Sequence, residues 1–300
     1  MAHHRALSVG RGLFFIAFAA TAWGVGGFVA AILYRTSGLG PIAVSFWRFV
    51  GGVALLVAFR PFITTGGGTA WRAGTRRVIL TGIGFAVYQT AYYAAIQLTG
   101  LAIGTVVTLG AGPVLIAVGA RLFLGERLGP RGLATVAVSL VGLVLLAGPR
   151  EAGASTAGIA AALLAALGYA AVTLFSRAQS AADHNALDSA LGGFAVGAAC
   201  LLPLAATQGL LPSMTHVGGT VGLLAFLGAV PTALAYAMFF AGLTAVRATT
   251  AAVMALVEPV AAAVLAVAVL GEHLSPAAYT GGALLLASVA LLARAESRAG

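Results

Sequence analysis

The stretch 113–130, PVLIAVGARLFLGERLGP, returns 146 residues later as 259–276, PVAAAVLAVAVLGEHLSP. Ten of the eighteen aligned positions are identical, including the leading proline and a Gly-Glu pair near the end. A shared richness in Ala and Leu does not give that many identities. The chain therefore consists of two similar halves, which we place at residues 1–150 and 151–300.

The composition excludes most classes of soluble protein. Hydrophobic residues make up 61% of the 300 residues and charged residues only 8%, where soluble domains have about 25%. The mean hydropathy is +1.04. A soluble protein of this length needs many more charged residues on its water-exposed surface. We therefore exclude a soluble enzyme, a nucleic-acid binder and a disordered protein. A polytopic helical protein of the lipid bilayer remains.

Ten apolar runs are long enough to cross a bilayer as helices, which takes about 20 residues. The predicted spans are 12–34, 41–59, 78–98, 101–123, 131–148, 156–176, 187–207, 218–242, 247–270 and 276–293. All 16 basic residues are Arg; with the N-terminus inside, 13 lie in cytoplasmic segments, 2 in outer segments and 1, Arg48, within a span. This positive-inside pattern predicts a multi-pass protein of the cytoplasmic (inner) membrane with both termini cytoplasmic.

The two halves must enter the membrane in opposite orientations, because each contains an odd number of spans. We therefore predict an all-α fold of ten transmembrane helices, built as two five-helix inverted-topology repeats. Inverted repeats of this kind are typical of secondary transporters, in which the substrate site lies near the midplane between the repeats. Because the same five-helix unit is present in both membrane orientations, the protein can form similar inward-open and outward-open states.

The repeated motif resembles the drug/metabolite transporter superfamily, and within it the ten-span EamA type. The residues that carry the resemblance are the Pro-x12-Glu pairs Pro113/Glu126 and Pro259/Glu272, Ala22-Trp23-Gly24, Pro41 with Arg48-Phe49, and Glu258-Pro259. The resemblance extends over nearly the whole chain and implies a metabolite exporter of the cytoplasmic membrane. Members of the family export amino acids, other metabolites or drugs, and some take up vitamins or sugars. Within the family, the resemblance points to the aromatic amino acid exporters as the nearest branch.

Two ionisable residues fall inside predicted spans, where a charge is costly unless it is paired or hydrated. Arg48 lies roughly 10 Å deep and Glu258 roughly 14 Å from the same outer side, at about 1.5 Å per residue. A buried ion pair that fixes helix packing is one reading. In the other, Arg48 binds a substrate carboxylate, and Glu258 binds an amino group or carries a proton. The repeat position of Glu258 is Gly112, so such a site is asymmetric.

Polar and aromatic residues in mid-span positions are candidates for the substrate pathway. Span three carries two i,i+4 pairs, and Met254 and Glu258 share a helix face that corresponds to Thr108 and Gly112 in the first half. Core packing or an aromatic belt at the interface is the alternative. The complete set of pathway candidates is Trp23, Arg48, Tyr88, Gln89, Tyr92, Tyr93, Thr108, Tyr169, Tyr236, Met254 and Glu258.

Three prolines, Pro113, Pro231 and Pro259, fall within spans, where they remove a backbone donor and act as a hinge or as a static kink.

The glycine spacings at Gly193/Gly197 and Gly218/Gly222 suggest close helix packing. Glu126 and Glu272, each preceded by Gly, lie at span ends and read as caps or loop anchors. Arg127 and Arg131 are the nearest charges to Glu126.

A secondary transporter that exports small amphipathic metabolites, amino acids foremost, agrees best with these features. Drug or quaternary-cation efflux and vitamin or metabolite uptake are alternatives on the same fold, and a non-transporting membrane sensor is a remote one. We expect no enzyme activity, no metal site and no cofactor, since no metal-binding or nucleophile motif appears. The chain has no P-loop for ATP. Both inverted units lie in one chain, which allows a monomer.

Overall fold

The computed structural model describes residues 7–63, 75–99, 101–127, 129–147, 155–180, 186–212, 217–271 and 273–299. Within these ranges the regular structure is helical. The first half contains α1 (Val9–Thr36), α2 (Pro41–Ile63), α3 (Thr75–Thr99), α4 (Leu101–Phe123) and α5 (Pro130–Ala147). The second half contains α6 (Thr156–Ser180), α7 (Ala186–Gln208), α8 (Val217–Gly228), a π segment (Ala229–Leu234), α9 (Ala235–Gly242), α10 (Ala248–Ala255), α11 (Val257–Leu270) and α12 (Pro276–Ala299).

The ten predicted spans are confirmed. Ten helices of the described part of the chain are long and apolar enough to cross a membrane, and they coincide with the predicted runs to within a few residues. Two of them are composite. Span eight, Val217–Gly242, joins α8, the π segment and α9, and span nine, Ala248–Val269, joins α10 to α11.

The two halves interlock rather than lying side by side. The first helix of each half packs against the third and fourth spans of the other, so that α1 lies against α9 and α11, while α6 lies against α3 and α4. The second spans, α2 and α7, pack together, as do the fifth, α5 and α12. This exchange is the contact pattern of two like units related by a pseudo-two-fold axis, and it confirms the inverted-repeat fold.

Close crossings depend on glycine, as is usual where helices associate in lipid. A Cβ on Gly24 of α1 would lie 2.5 Å from the backbone oxygen of Glu258 and 2.7 Å from Cβ of Ala261. Gly24 therefore lets α1 touch the backbone of α11 beside the only described carboxylate that lies deep within a span. At the predicted GxxxG pairs, Gly193 and Gly197 do contact neighbouring rings, whereas Gly218 and Gly222 have nothing within 4 Å of a built Cβ.

The repeated Gly-Glu pair ends a helix in both halves. Gly125 follows α4 with φ of 68°, and Gly271 follows α11 with φ of 66°. Glycine adopts this left-handed conformation without the steric cost that a Cβ brings, and it is the usual residue just past a helix end. Glu272 lies outside the described residues.

The three span prolines have different surroundings. Pro231 lies in the π segment, Pro259 follows the short interruption at Leu256 between α10 and α11, and Pro113 lies inside α4, which continues through it. A π turn or a break accommodates the missing N–H donor of a proline.

Candidate functional site

A cavity of about 360 Å³ lies between the two halves. Its lining residues come from the middle of the membrane and from the end of the bundle opposite the N-terminus. On α1 they run from Trp23 to Tyr34, on α3 from Tyr88 to Ile96, and α2 contributes Pro41 at its first residue. The cavity volume is at the lower end of the range of about 300–1,000 Å³ typical of small-molecule sites.

Nine of the eleven pathway candidates line this cavity: Trp23, Arg48, Tyr88, Gln89, Tyr92, Tyr93, Tyr169, Tyr236 and Glu258. Thr108 and Met254 do not. The Thr108 hydroxyl donates to the Ala162 carbonyl at 3.2 Å in the contact between α4 and α6, and Met254 is buried in the apolar core. The i,i+4 spacing placed Met254 on one helix face with Glu258, and Thr108 on the corresponding face of the first half with Gly112. Of these four residues, only Glu258 lines the cavity.

Arg48 is held by a hydrogen bond to Thr232, the residue that follows Pro231. Proline has no N–H to donate to the carbonyl of Leu227, four residues earlier. The Thr232 hydroxyl donates to this carbonyl at 2.6 Å, and the Thr232 hydroxyl oxygen in turn accepts from Arg48 Nε at 3.3 Å. The π segment therefore fixes one edge of the guanidinium, while Arg48 lines the cavity.

Glu258 lines the same cavity without a direct partner. Among the residues that the structure describes, the ion pairs are Arg177 with Glu126 and Arg247 with Glu296, and no hydrogen bond from protein reaches the Glu258 carboxylate. The direct Arg48–Glu258 pair of the packing alternative is therefore not formed. A cation and an anion face one small cavity separately, each able to bind an opposite charge.

Tyrosine is concentrated at this cavity. Six of the seven tyrosines of the chain line it, the six being Tyr34, Tyr88, Tyr92, Tyr93, Tyr169 and Tyr236. The Tyr88 ring lies 6.0 Å from that of Tyr92 and 5.8 Å from that of Tyr169, measured between centroids. These rings offer an apolar aromatic wall with hydroxyl groups at its edge.

Tyr34 was absent from the sequence prediction. Its hydroxyl lies 2.9 Å from that of Tyr93, so it links α1 to α3 in the cavity wall. A signal was present in the sequence, because Trp23, Gly27, Ala30 and Tyr34 recur at helical spacing on one face of α1. All four line the cavity.

Two buried polar atoms of the cavity wall have no hydrogen-bond partner in the described part of the protein, Nε1 of Trp23 and the hydroxyl of Tyr169. These residues occupy equivalent positions, 146 residues apart. A buried donor without a partner is rare and costs roughly 1–3 kcal/mol. Both repeats thus place an unsatisfied donor at the same point of the fold.

A second charged cluster lies at the N-terminal end of the bundle, away from the cavity. Glu126 accepts from Arg177 Nε at 2.9 Å and from the backbone N–H of Ala248 at 3.0 Å. Glu296 accepts from Nε of Arg247 at 2.7 Å and from its backbone N–H at 2.9 Å. This hydrogen bonding raises the pKa of Arg247 above its ordinary value. Glu126 is thus an anchor, though its basic partner is Arg177 rather than the neighbouring Arg127 or Arg131.

The comparisons with known proteins agree with this architecture. The EamA-like transporter family matches residues 10–148 and again residues 156–294. The "Uncharacterized transporter YwfM" of Bacillus subtilis (strain 168) is 31% identical over 292 residues, covering 95% of this chain and 94% of that protein. An "Uncharacterized transporter" of Archaeoglobus fulgidus is 30% identical, covering 87% and 94%.

Two further similarities concern a named activity and a fold. A "Riboflavin transporter" of Rhizobium johnstonii is 32% identical over 276 residues, covering 85% of this chain and 82% of that protein. A crystal structure superposes with a TM-score of 0.78 at 23% identity over 96% of this chain and 99% of the other, which shows a shared fold. The chain is a multi-pass membrane protein that belongs to the EamA-like transporter family.

Proposed function

We propose that this chain is a secondary transporter that exports small amphipathic metabolites, with amino acids, and aromatic ones in particular, as its main substrates. Export proceeds across the cytoplasmic membrane by alternating access, without ATP and without a bound cofactor. The observation that carries the proposal is the unpaired Glu258 on a cavity that Arg48 also lines.

The two charges are suited to a zwitterion. The guanidinium of Arg48 retains donors beyond the Nε that meets Thr232, and these are available to a carboxylate. The Glu258 carboxylate is available to an ammonium group. Because the two side chains do not neutralise each other directly, each keeps an attraction for the opposite charge of a ligand. A substrate that carries both charges satisfies both residues.

The tyrosine wall supports an aromatic or otherwise flat apolar part of the substrate. Rings pack against rings at centroid separations of about 4.5–7 Å, the range found among the cavity tyrosines themselves.

Proton coupling through Glu258 and facilitated diffusion are both compatible with this site. The concentration of Arg in the predicted cytoplasmic segments supports an inner membrane location with cytoplasmic termini, and a single chain holds both repeats.

The test is thermal stabilisation of the purified protein by a panel of amino acids, followed by flux in proteoliposomes. A ligand that binds the native state raises its stability by mass action. We expect phenylalanine, tyrosine and tryptophan to stabilise the protein and to be transported. Their methyl esters and N-acetyl derivatives, which each lack one charge, should do neither. Equal stabilisation by the charged and blocked forms contradicts the zwitterion site.

A flat vitamin is the second candidate substrate, because a relative at 32% identity is named a riboflavin transporter. Riboflavin belongs in the same panel, together with tetraphenylphosphonium as a lipophilic cation. Stabilisation by riboflavin alone supports vitamin transport. Stabilisation by tetraphenylphosphonium alone supports drug or quaternary-cation efflux, in which the tyrosines and Glu258 matter and Arg48 does not.

A further inference from the structure

The charged cluster of Glu126, Arg177, Arg247 and Glu296 encloses a single turn of chain, the connection between spans eight and nine. Arg177 Nη1 donates to the carbonyl of Leu243 at 2.7 Å, at the end of α9. Glu126 accepts from Ala248 N–H at the start of α10. Glu126, Arg177 and Glu296 come from three separate elements, the segment after α4, α6 and α12, whereas Arg247 belongs to the turn itself. The cluster therefore fastens both halves of the molecule to one turn.

The signs of the charges suit the helix ends that they meet. The carboxylates of Glu126 and Glu296 lie at the N-terminus of α10, where unpaired N–H groups and the helix dipole favour negative charge. The Arg177 cation lies at the C-terminus of α9, where carbonyl groups favour positive charge. The pair between Arg177 and Glu126 is mostly shielded from solvent, with 22% and 12% of their side chains exposed.

The internal repeat makes it possible to compare the cluster with the equivalent place at the other end of the bundle. The shift of 146 residues pairs Arg177 with Ala31 and pairs α6, α9 and α10 with α1, α3 and α4. At the end opposite the N-terminus, Ala31 lines the cavity. At the N-terminal end, the equivalent place is filled by Arg177 and its partners.

We propose that the cluster of Glu126, Arg177, Arg247 and Glu296 is the contact that closes the transport pathway at the N-terminal end of the bundle. Glu126 and Arg177 are positioning residues in this scheme: they release the start of α10 when the cavity opens toward that end. Among the residues that the structure describes, the opposite end has Ala31 in place of the arginine. The cluster therefore biases the protein toward the state that is open away from the N-terminus.

The test follows the accessibility of a cavity residue from each side of the membrane. Ala255 lines the cavity, and Cys200 is the only native cysteine, so Ala255→Cys in a Cys200→Ser background gives one reporter inside the pathway. A membrane-impermeant maleimide is added to right-side-out or to inside-out vesicles that contain the full chain. This measurement needs no substrate. It rests on the proposed function only for the assignment of the N-terminal end to the cytoplasm.

With the cluster intact, we expect labelling mainly from the side opposite the N-terminus. Glu126→Gln and Arg177→Gln should each raise the labelling rate from the N-terminal side about tenfold, the change that corresponds to roughly 1.4 kcal/mol in a conformational equilibrium. The rate from the opposite side should fall. Arg127→Gln, which removes an exposed charge next to Glu126, is the matched control and should leave both rates unchanged.

Two results would overturn the proposal. One is an unchanged rate from the N-terminal side in both cluster variants. The other is a rise of similar size from both sides, which reports general loosening rather than opening of one end. Arg177→Lys, which keeps the charge but loses the two-pronged geometry, covers a failure of the glutamine variants to fold and should give a smaller rise from the N-terminal side. If substrate flux is absent while the cluster variants change labelling as expected, the proposed substrate is wrong and the closing contact is supported.

Discussion

Spans four and nine share one sequence pattern but differ in structure. Pro113 and Pro259 occupy equivalent positions, yet α4 is continuous from Leu101 to Phe123, whereas span nine is interrupted at Leu256. The residue before the proline is Gly112 in one and Glu258 in the other. A Cβ on Gly112 would lie 3.2 Å from Cδ1 of Tyr169, so a neighbouring ring occupies the place of a side chain there.

The difference shows that duplication supplied the scaffold twice and the ionisable group once. Equivalent backbones cross the membrane in opposite directions. In the part of the chain that the structure describes, only span nine brings a carboxylate to the cavity, and only span eight has a π segment, the one that holds Arg48. A transporter of this build can therefore be symmetric in its motion and asymmetric in what it binds.

Replacing the carboxylate should have the largest effect. Glu258→Gln should lower transport of a zwitterion roughly a hundredfold, because the ammonium group of the substrate then has no carboxylate to pair with inside the membrane. Flux in proteoliposomes measures this, and Gly112→Ala is the matched control at the equivalent position, where we expect less than a tenfold loss. Comparable losses in both variants would mean that span nine has no special role.

The crossing beside Glu258 should come next. Gly24→Val should lower the free energy of unfolding by about 1–3 kcal/mol, because the new side chain meets the backbone of α11. Thermal unfolding in detergent measures the change. Gly10→Ala on the same helix, where a built Cβ has nothing within 4 Å, should have almost no effect, and equal destabilisation by both would refute the crossing.

Removal of an unsatisfied hydroxyl should stabilise the fold. Tyr169→Phe should raise the free energy of unfolding by about 1 kcal/mol, whereas Tyr92→Phe, which removes the 2.9 Å bond to Thr105, should lower it by about 1 kcal/mol. Thermal unfolding of the two variants gives changes of opposite sign if the hydroxyl of Tyr169 lacks a partner. A loss of stability in Tyr169→Phe would indicate that it has one.

The smallest effect should come from the prolines. Pro259→Ala should slow transport a fewfold, because the break at Leu256 then has a donor that favours a continuous helix. Pro113→Ala, inside an already continuous helix, should change the rate less. The ratio of the two turnover rates is the measurement, and a larger effect at Pro113 would place the hinge in the first half instead.

The sequence was sufficient for the spans, the repeats and most of the cavity wall, because length, hydropathy and buried charge leave clear patterns. It could not give helix rotation, which decides that Thr108 and Met254 do not line the cavity. It also could not give long-range partners, such as Thr232 for Arg48 or Arg177 for Glu126. GxxxG spacing failed to separate Gly193 and Gly197, which pack closely, from Gly218 and Gly222, which do not. Such contacts depend on the relative positions of whole helices, which the spacing of residues within one helix does not determine.

The exchange of first helices between the halves has a consequence for how the protein is made. During synthesis α1 enters the bilayer long before α9 and α11, its later neighbours, have left the ribosome. The nascent first half therefore waits with its leading helix undocked, and assembly completes only when the last spans arrive. Two separately translated halves should each insert, yet gain their native fold only when they meet in the same membrane.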